Sequence, residues 1–432
     1  MAHPSMATEQ HGEPAPNRLR PIGFILGFGV VSMLADVVYE GARAVIGPYL
    51  ATFGASAALV GLITGLGEAA ALISRLWTGP LADRTGRYWR LSITGYLITV
   101  IAVPTLAAAG ALWQSALAII GERFGKAVRT PARDTMLAHA SARIGRGRAF
   151  AYHEALDQSG ALVGPLLVAA MVALSGYRLA FAVLAVPGAL ALVALGLLRR
   201  AVPAPASYEP ETPPAARPGT TGATTTTHAA TTMPGTPGTT TSRWRGFSRR
   251  YWLYALFTAL SVGGYATFAV LSYHLEVRHV VSAPVIPLLY ALAMGVDALA
   301  PLGFGHLYDR IGLAGLAAVP LLTAAIPFLS FSTTPVLVWV GAGVWGAAMG
   351  IHESTMRAAV ADLVPSSRRG AGYGTFGAVY GLAWLTGSTV IGALYAVALR
   401  DVDIFVIALQ IAALIVLAVL LRSRASTAST SR

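Results

Sequence analysis

The stretch DVVYEGAR, residues 36 to 43, brings two carboxylates, a phenol and a guanidinium close together. Asp36, Glu40 and Arg43 are spaced i, i+4 and i+7, so a helix carries all three on one face, with Tyr39 beside them. Groups so arranged can hold and release a proton or close an ion pair. Glu40 with Arg43 suits the pair, and Asp36 the carrier, since desolvation favours the neutral form of a carboxyl group. Glu68 and Arg75 share a helix face and suit a salt bridge between helices. His153, Glu154 and Asp157 crowd into little more than one turn, and Glu353 precedes Arg357 by one turn, with His352 alongside. Asp297 differs: LAMGVDALAPLG offers it no basic neighbour, which leaves a proton site, a solute site or a partner on another element. With no cysteine, thiolate catalysis, disulfides and Cys-ligated zinc are excluded. Nothing reads as a Walker loop or a serine hydrolase constellation, so an enzyme is not expected. The His153 cluster lacks a second histidine on its face, so neither a fixed metal site nor a cofactor is expected.

Composition says which elements hold these residues. Of 432 residues, 55% are hydrophobic and only 12% charged, with mean hydropathy +0.63, a balance suited to a chain solvated by lipid. Apolar runs long enough to cross about 30 Å of hydrocarbon as helices fall near 22–44, 57–79, 91–110, 114–133, 149–173, 179–198, 251–274, 284–305, 314–331, 336–357, 371–398 and 403–421. Backbone groups find no water inside a bilayer, so twelve transmembrane helices are predicted, an all-α integral membrane fold. Ionisable residues within such runs cost about 2.5–3.5 kcal/mol each on insertion scales and therefore face a cavity or a partner.

The basic residues gather in alternate connections. With the N-terminus inside, the cytoplasmic side holds Arg84, Arg87 and Arg90, then Lys126, Arg129, Arg133, Arg143, Arg146 and Arg148, then Arg199, Arg200, Arg249 and Arg250, and later Arg310, Arg368, Arg369, Arg422 and Arg424. The opposite loops hold only Arg178, Arg278 and Arg400. That asymmetry explains the net charge of +12 without nucleic acid, and it predicts a plasma (inner) membrane protein with both termini cytoplasmic. Residues 1–20 are polar, a tail and not a signal peptide. Residues 201–248, rich in Pro, Thr, Ala and Gly, read as a disordered cytoplasmic linker between bundles at 21–200 and 249–421, with 422–432 as a C-terminal tail.

GPLADRTGR at 79–87 returns as GHLYDRIG at 305–312, an offset of 226 residues that places both just after the second span of a six-span half. An internal duplication of this kind underlies alternating access in many transporters. The first copy resembles the signature loop of the major facilitator superfamily, and the resemblance extends along the whole chain through its 6+6 division and long central connection. Tyr88 stands where that signature ends on a basic residue, flanked by Arg87 and Arg90. The resemblance implies two pseudo-symmetric six-helix bundles. It also implies that Gly79, Leu81, Asp83, Arg84, Gly86 and Arg87, with Gly305, Leu307, Asp309, Arg310 and Gly312, form a latch that holds the cytoplasmic side shut when the carrier faces outward. Gly160, Gly164 and Pro165 in SGALVGPLLVAA are similar to an antiporter motif of the superfamily, though residues four apart also serve ordinary helix packing. Arg123 followed by Gly125 resembles an intramembrane arginine motif linked there to proton transfer. DVVYE and FAYHEALDQSGALVGP are similar to a bacterial permease subgroup without an assigned substrate.

The expectation is thus a secondary transporter that rocks two halves about a central cavity and exports a drug or metabolite in exchange for protons. Asp36, Glu40, Arg123 and Asp297 are the proton-coupling candidates. Tyr39, Arg43, Glu68, Glu154, Asp157, Tyr380 and Trp384 are the cavity candidates, and Tyr265 and Phe268 could join them. A proton-coupled importer of a nutrient or metal ion is the first alternative, and a non-transporting sensor or scaffold the second. The partners implied are a small solute, protons and lipid, with the chain working as a monomer.

Overall fold

The computed structural model describes residues 17–142, 144–209, 247–365 and 368–429. The expected tail up to residue 16, the linker between 210 and 246, Arg143 and the last three residues lie outside the described residues, as do the side chains of Arg146, Arg357, Arg369 and Arg424. The first half runs through α1 (Pro21–Arg43), α2 (Ile46–Ala51), α3 (Ala57–Thr85), α4 (Tyr88–Thr105), α5 (Leu112–Ser141), α6 (Arg146–Ser175), α7 (Tyr177–Val183) and α8 (Ala185–Ala201). The second runs through α9 (Arg249–Gly263), α10 (Phe268–Val277), α11 (Val285–Ile311), α12 (Ala318–Ser330), α13 (Pro335–Leu363), α14 (Arg369–Val397) and α15 (Leu399–Ser429).

Three crossings are broken in two: α1 is continued by α2, α7 by α8 and α9 by α10. Among the described residues, fifteen α-helices therefore make the twelve predicted crossings. Ten segments among the described residues are long and apolar enough to span a membrane by length and composition. One of them, Val285–Ser330, holds both α11 and α12. The crossing not represented is α5, whose middle carries Glu122, Arg123, Lys126 and Arg129. Its prediction as a span ending at residue 133 needs correction: the helix continues to Ser141, and Lys126, Arg129 and Arg133 lie within it rather than in a connection. Arg129 is only 2% exposed. A polar helix face can stay in the bundle when it points inward, because the lipid never meets it.

Local chemistry explains where helices begin and end. The Leu59 N–H donates to Ser56 Oγ at 3.3 Å at the start of α3, and the Tyr251 N–H to Ser248 Oγ at 3.2 Å at the start of α9. The helices α3 and α11 both end on a glycine in the left-handed region, Gly86 at φ +61° and Gly312 at φ +60°. The matched glycines of the two copies thus both close a helix at positive φ, but with different ψ, +6° at Gly86 and −141° at Gly312. Gly79 and Gly305 sit one to two turns earlier, inside their helices, and take no part in the turn.

The packing is asymmetric along the bundle axis. At one end each half has its own core, Phe24, Trp89 and Tyr96 in the first and Tyr254, Phe257 and Leu313 in the second. At the other end a single core joins both, with Tyr49 and Phe181 from one half and Phe268 and Trp345 from the other, and there α2 packs on α10. Along the sides the halves meet through α3 on α14 and α6 on α11. Shared packing at one end and separate packing at the other leaves a cleft that opens towards the α3–α4 connection.

Candidate functional site

The cleft is a cavity of about 630 Å³. Its walls are α1, α3, α5 and α6 on one side and α11, α13 and α14 on the other, and it runs from Trp384 and Met294 at its inner end to Asp83 and Tyr373 at its mouth. Helix α1 reaches it because α6 lets it approach: a Cβ on Gly160 would collide with the Met33 carbonyl, and one on Gly164 would lie 2.5 Å from the Val37 carbonyl oxygen. Such close approach needs residues without side chains. The GxxxGP stretch therefore seats α1 against α6, and Asp36 lies next to the crossing, its Cβ 3.0 Å from the position a Gly160 Cβ would take.

From α1 a chain of ion pairs crosses the first half. Glu40 Oε1 lies 3.2 Å from Arg43 Nη1, Arg43 Nη2 lies 3.0 Å from Glu68 Oε1, and the same oxygen is 3.4 Å from Arg123 Nη2. Arg123 Nε continues to Glu122 Oε2 at 3.3 Å. The hydroxyl of Tyr290 on α11 donates to Glu40 Oε2, which ties this chain to the second half. Burying charges is tolerable when they are paired, and every member here is, although Glu122 Oε1 has no hydrogen-bond partner among the described residues.

Asp36 is treated differently. It is 5% exposed, lines the cavity, and accepts from the Tyr39 hydroxyl at 3.3 Å. No basic group stands within 4 Å of it among the described residues. Lys126 Nζ donates to that same hydroxyl at 2.8 Å, so Asp36, Tyr39 and Lys126 form one hydrogen-bonded line. Asp297, also 5% exposed, accepts weakly from Gln158 Nε2 across the halves at 3.5 Å, and its Oδ1 has no partner among the described residues. Gln158 is held in turn by Glu154 Oε1 at 3.4 Å.

A family model for the Major Facilitator Superfamily matches residues 28–388. The chain belongs to the major facilitator superfamily. The uncharacterized protein Rv2265 of Mycobacterium tuberculosis is 46% identical over 401 residues, covering 91% of this chain and 92% of that one. The multidrug resistance protein MdtG of Salmonella arizonae is 32% identical over 127 residues, 29% of this chain and 31% of its own. Among solved structures, the peptide transporter POT in complex with sulfate superposes with a TM-score of 0.70 at 15% identity, covering 96% of this chain and 95% of that one, a likeness of fold. The chain is therefore a multi-pass membrane protein of a family of solute transporters.

In this member of the superfamily the signature residues fall at the open end. Asp83 lines the mouth of the cavity, and Asp83, Arg84, Asp309 and Arg310 are exposed, with no ion pair among the described residues. Of the cavity residues expected from the sequence, Tyr39, Arg43, Glu68, Glu154, Asp157, Tyr380 and Trp384 all line it. Arg123 does not; it lies behind Glu68. Tyr265 and Phe268 also turn away, Tyr265 stacked on Trp345 at 5.3 Å and donating to its carbonyl, Phe268 edge-on to Tyr290 at 4.6 Å. His153 Nε2 bonds Ser32 Oγ at 3.0 Å, and its ligand atoms lie within 4.8 Å of those of Glu154 and Asp157.

Sequence reasoning missed Lys126, Arg129, Arg133 and Tyr290 as residues of the site. The signal for the first three was present: they continue from Arg123 at steps of three, three and four, a helical stripe, and Lys126 is the only lysine among 31 basic residues. Nothing in the sequence alone points from Tyr290 to Glu40, 250 residues away.

Proposed function

We propose that the chain is a proton-coupled secondary transporter of the plasma membrane that moves a small solute by alternating access, with Asp36 as the proton carrier and Asp297 as a second protonatable group in the cavity. The observation that carries this reading is the contrast within one cavity. Glu40 and Glu68 are locked to arginines, whereas Asp36 is buried with only a phenol as donor, so it can gain and lose a proton without breaking an ion pair. In the proposed topology the arginine-rich end, which is also the open end, is cytoplasmic, so the cavity faces inward and the signature loop is a latch that is released here.

The direction proposed is export, solute leaving as protons enter; the partial likeness to MdtG and the GxxxGP stretch support it. The packing role of Gly160 and Gly164 supports that direction no further. A second reading, inward movement of solute together with protons, has an observation of its own: Lys126 and Arg129 line the cavity with no carboxylate within 4 Å among the described residues, an arrangement suited to an anion that travels with a proton.

The test uses inverted membrane vesicles with an acid interior, lumenal pH reported by fluorescence, and a panel of amphiphilic drugs, dyes and nutrients added outside. Proton efflux triggered by one compound and lost in Asp36→Asn is the expected result for exchange. Coupling that survives Asp36→Asn removes Asp36 from the carrier role, and silence across the panel, followed by pH-dependent uptake in intact cells, favours the second direction.

A further inference from the structure

Fixed and removable charges are distributed unevenly in the cavity. Arg43, Arg123 and Arg133 each have a carboxylate within 4 Å. Lys126 and Arg129, one turn apart on α5, have none among the described residues, although both line the cavity. Lys126 spends one donor on the Tyr39 hydroxyl and lies 4.2 Å from the centroid of that ring. Arg129 is 2% exposed, donates to Thr99 Oγ1 at 2.5 Å and stacks on Tyr96 and Tyr39, while its Nε has no partner among the described residues. Cation–π contacts lower the cost of a buried cation but add no counter-charge.

Asp36 and Asp297 also line this cavity with no basic group within 4 Å among the described residues, yet the two signs are not equivalent. A carboxylate can be neutralised by taking up a proton, whereas a guanidinium stays charged at any physiological pH. Protonating the acids therefore leaves Arg129 as the uncompensated charge, and Lys126 with it while its ammonium keeps its proton. We infer that the wall formed by Lys126, Arg129 and Tyr39 is a binding site for the anionic group, a carboxylate or a phosphate monoester, of the transported solute. The inference rests on the proton-coupled reading, because uptake of a proton by Asp36 is what frees Lys126 from a nearby negative charge.

The charged groups acting most strongly on Lys126 are Asp36 and Glu40 on α1, Arg123 on its own helix and Glu353 on α13, and those acting most strongly on Asp36 are Asp157 on α6, Lys126 and Arg129 on α5, and Glu40. Glu40 is committed to Arg43 and Tyr290, and Glu353 belongs to the opposite wall. Asp36, joined to Lys126 through the Tyr39 hydroxyl, is the one whose protonation state the anion feels most directly. An ionised Asp36 competes with the solute for Lys126, and a protonated one does not. Solute binding and Asp36 protonation thus favour each other, which for an anionic solute couples solute and proton in the same direction, the second of the two readings above and not exchange.

The experiment uses the purified full chain in lipid nanodiscs, with benzoate and phenyl phosphate as anionic probes and benzylammonium and benzyl alcohol as cationic and neutral ones of the same body. Binding is titrated at pH 5.5 and 7.5 by calorimetry, and proton uptake is followed with an indicator dye in weak buffer. At least one anion is expected to bind more tightly than the cation and the alcohol, and more tightly at the lower pH. Lys126→Gln should weaken it roughly tenfold or more, and Lys126→Arg should restore most of it. Benzoate alone binding assigns a carboxylate, phenyl phosphate alone a phosphate. The proposal is overturned if neither anion binds better than benzyl alcohol, or if Lys126→Gln and Arg129→Gln both bind the anion as the parent does. Anion binding without proton uptake, unchanged in Asp36→Asn, keeps the site and overturns the proton-carrier role instead. Lys126 is half-buried, so its variant tests the site even where Arg129→Gln fails to fold.

Discussion

Replacing Tyr290 by Phe removes one hydroxyl and leaves the ring, which sits edge-on to Phe268 at 4.6 Å and 6.0 Å from Trp345, in place. What is lost is the hydrogen bond to Glu40 Oε2, a link between the two halves at the inner end of the cavity. Both partners are buried, Tyr290 fully and Glu40 to 5% exposure, so the bond is made away from water. A hydrogen bond to a charged group contributes about 1.5–3 kcal/mol, and Glu40 keeps Arg43 as a partner, which argues for the lower end. If the halves separate here in the opposite conformation, water replaces the phenol there and the variant costs only the present conformer. About 1.4 kcal/mol is a tenfold change in an equilibrium constant, so Tyr290→Phe should favour conformers open at the α2–α10 end by roughly tenfold. The parent has no cysteine, which makes labelling clean. Spin labels at Thr52→Cys and Ser282→Cys, both exposed beyond the ends of α2 and α10, report the separation by pulsed electron resonance. A distance distribution unchanged by Tyr290→Phe in the same lipid would refute the reasoning. Tyr177→Phe, which removes a second cross-half bond to Glu276 Oε2 at 2.8 Å, should shift it the same way by less, since that pair is more exposed.

Two further outcomes follow from the same geometry. Asp83→Asn, at the mouth of the cavity, should slow turnover more than it weakens solute binding, because a latch residue alters the balance of conformations; equal loss in both would return the signature loop to a topological role. Gly160→Leu should destabilise the protein by about 1–3 kcal/mol, the usual cost of overpacking, since its side chain enters the Met33 backbone; a thermal unfolding midpoint in detergent equal to the parent's would mean that α1 and α6 are free to part.

Much of the fold was legible because lipid imposes a simple rule: apolar runs of sufficient length must be helices, and the duplicated GxLxDRxG stretch marks where each half begins its third crossing. The same rule explains the misreading of α5. Hydropathy measures compatibility with lipid, and a helix that lines a cavity does not need it on that face. Lys126, Arg129 and Arg133 were therefore assigned to a connection, although their spacing continues the stripe begun by Arg123. The intramembrane acids were found for the converse reason: Asp36, Glu68 and Asp297 interrupt otherwise apolar text, and each lines the cavity.

Pairing was legible only where it is local. Glu40 and Arg43 are neighbours on one helix, and their contact could be expected from spacing alone. Glu68 was expected to bridge to another helix, and it does, but the difference between one partner and two, Arg43 on α1 and Arg123 on α5, is not readable from spacing. That difference decides the chemistry. Once Glu68 and Glu40 absorb Arg43 and Arg123, Lys126 and Arg129 on α5 face the cavity with no carboxylate within 4 Å among the described residues, and the acid joined to Lys126 through a hydrogen-bonded phenol is Asp36. A sequence can list the charges of a cavity, but which of them remain uncompensated is a property of the assembled walls, and it is the uncompensated ones that a solute and its proton must satisfy.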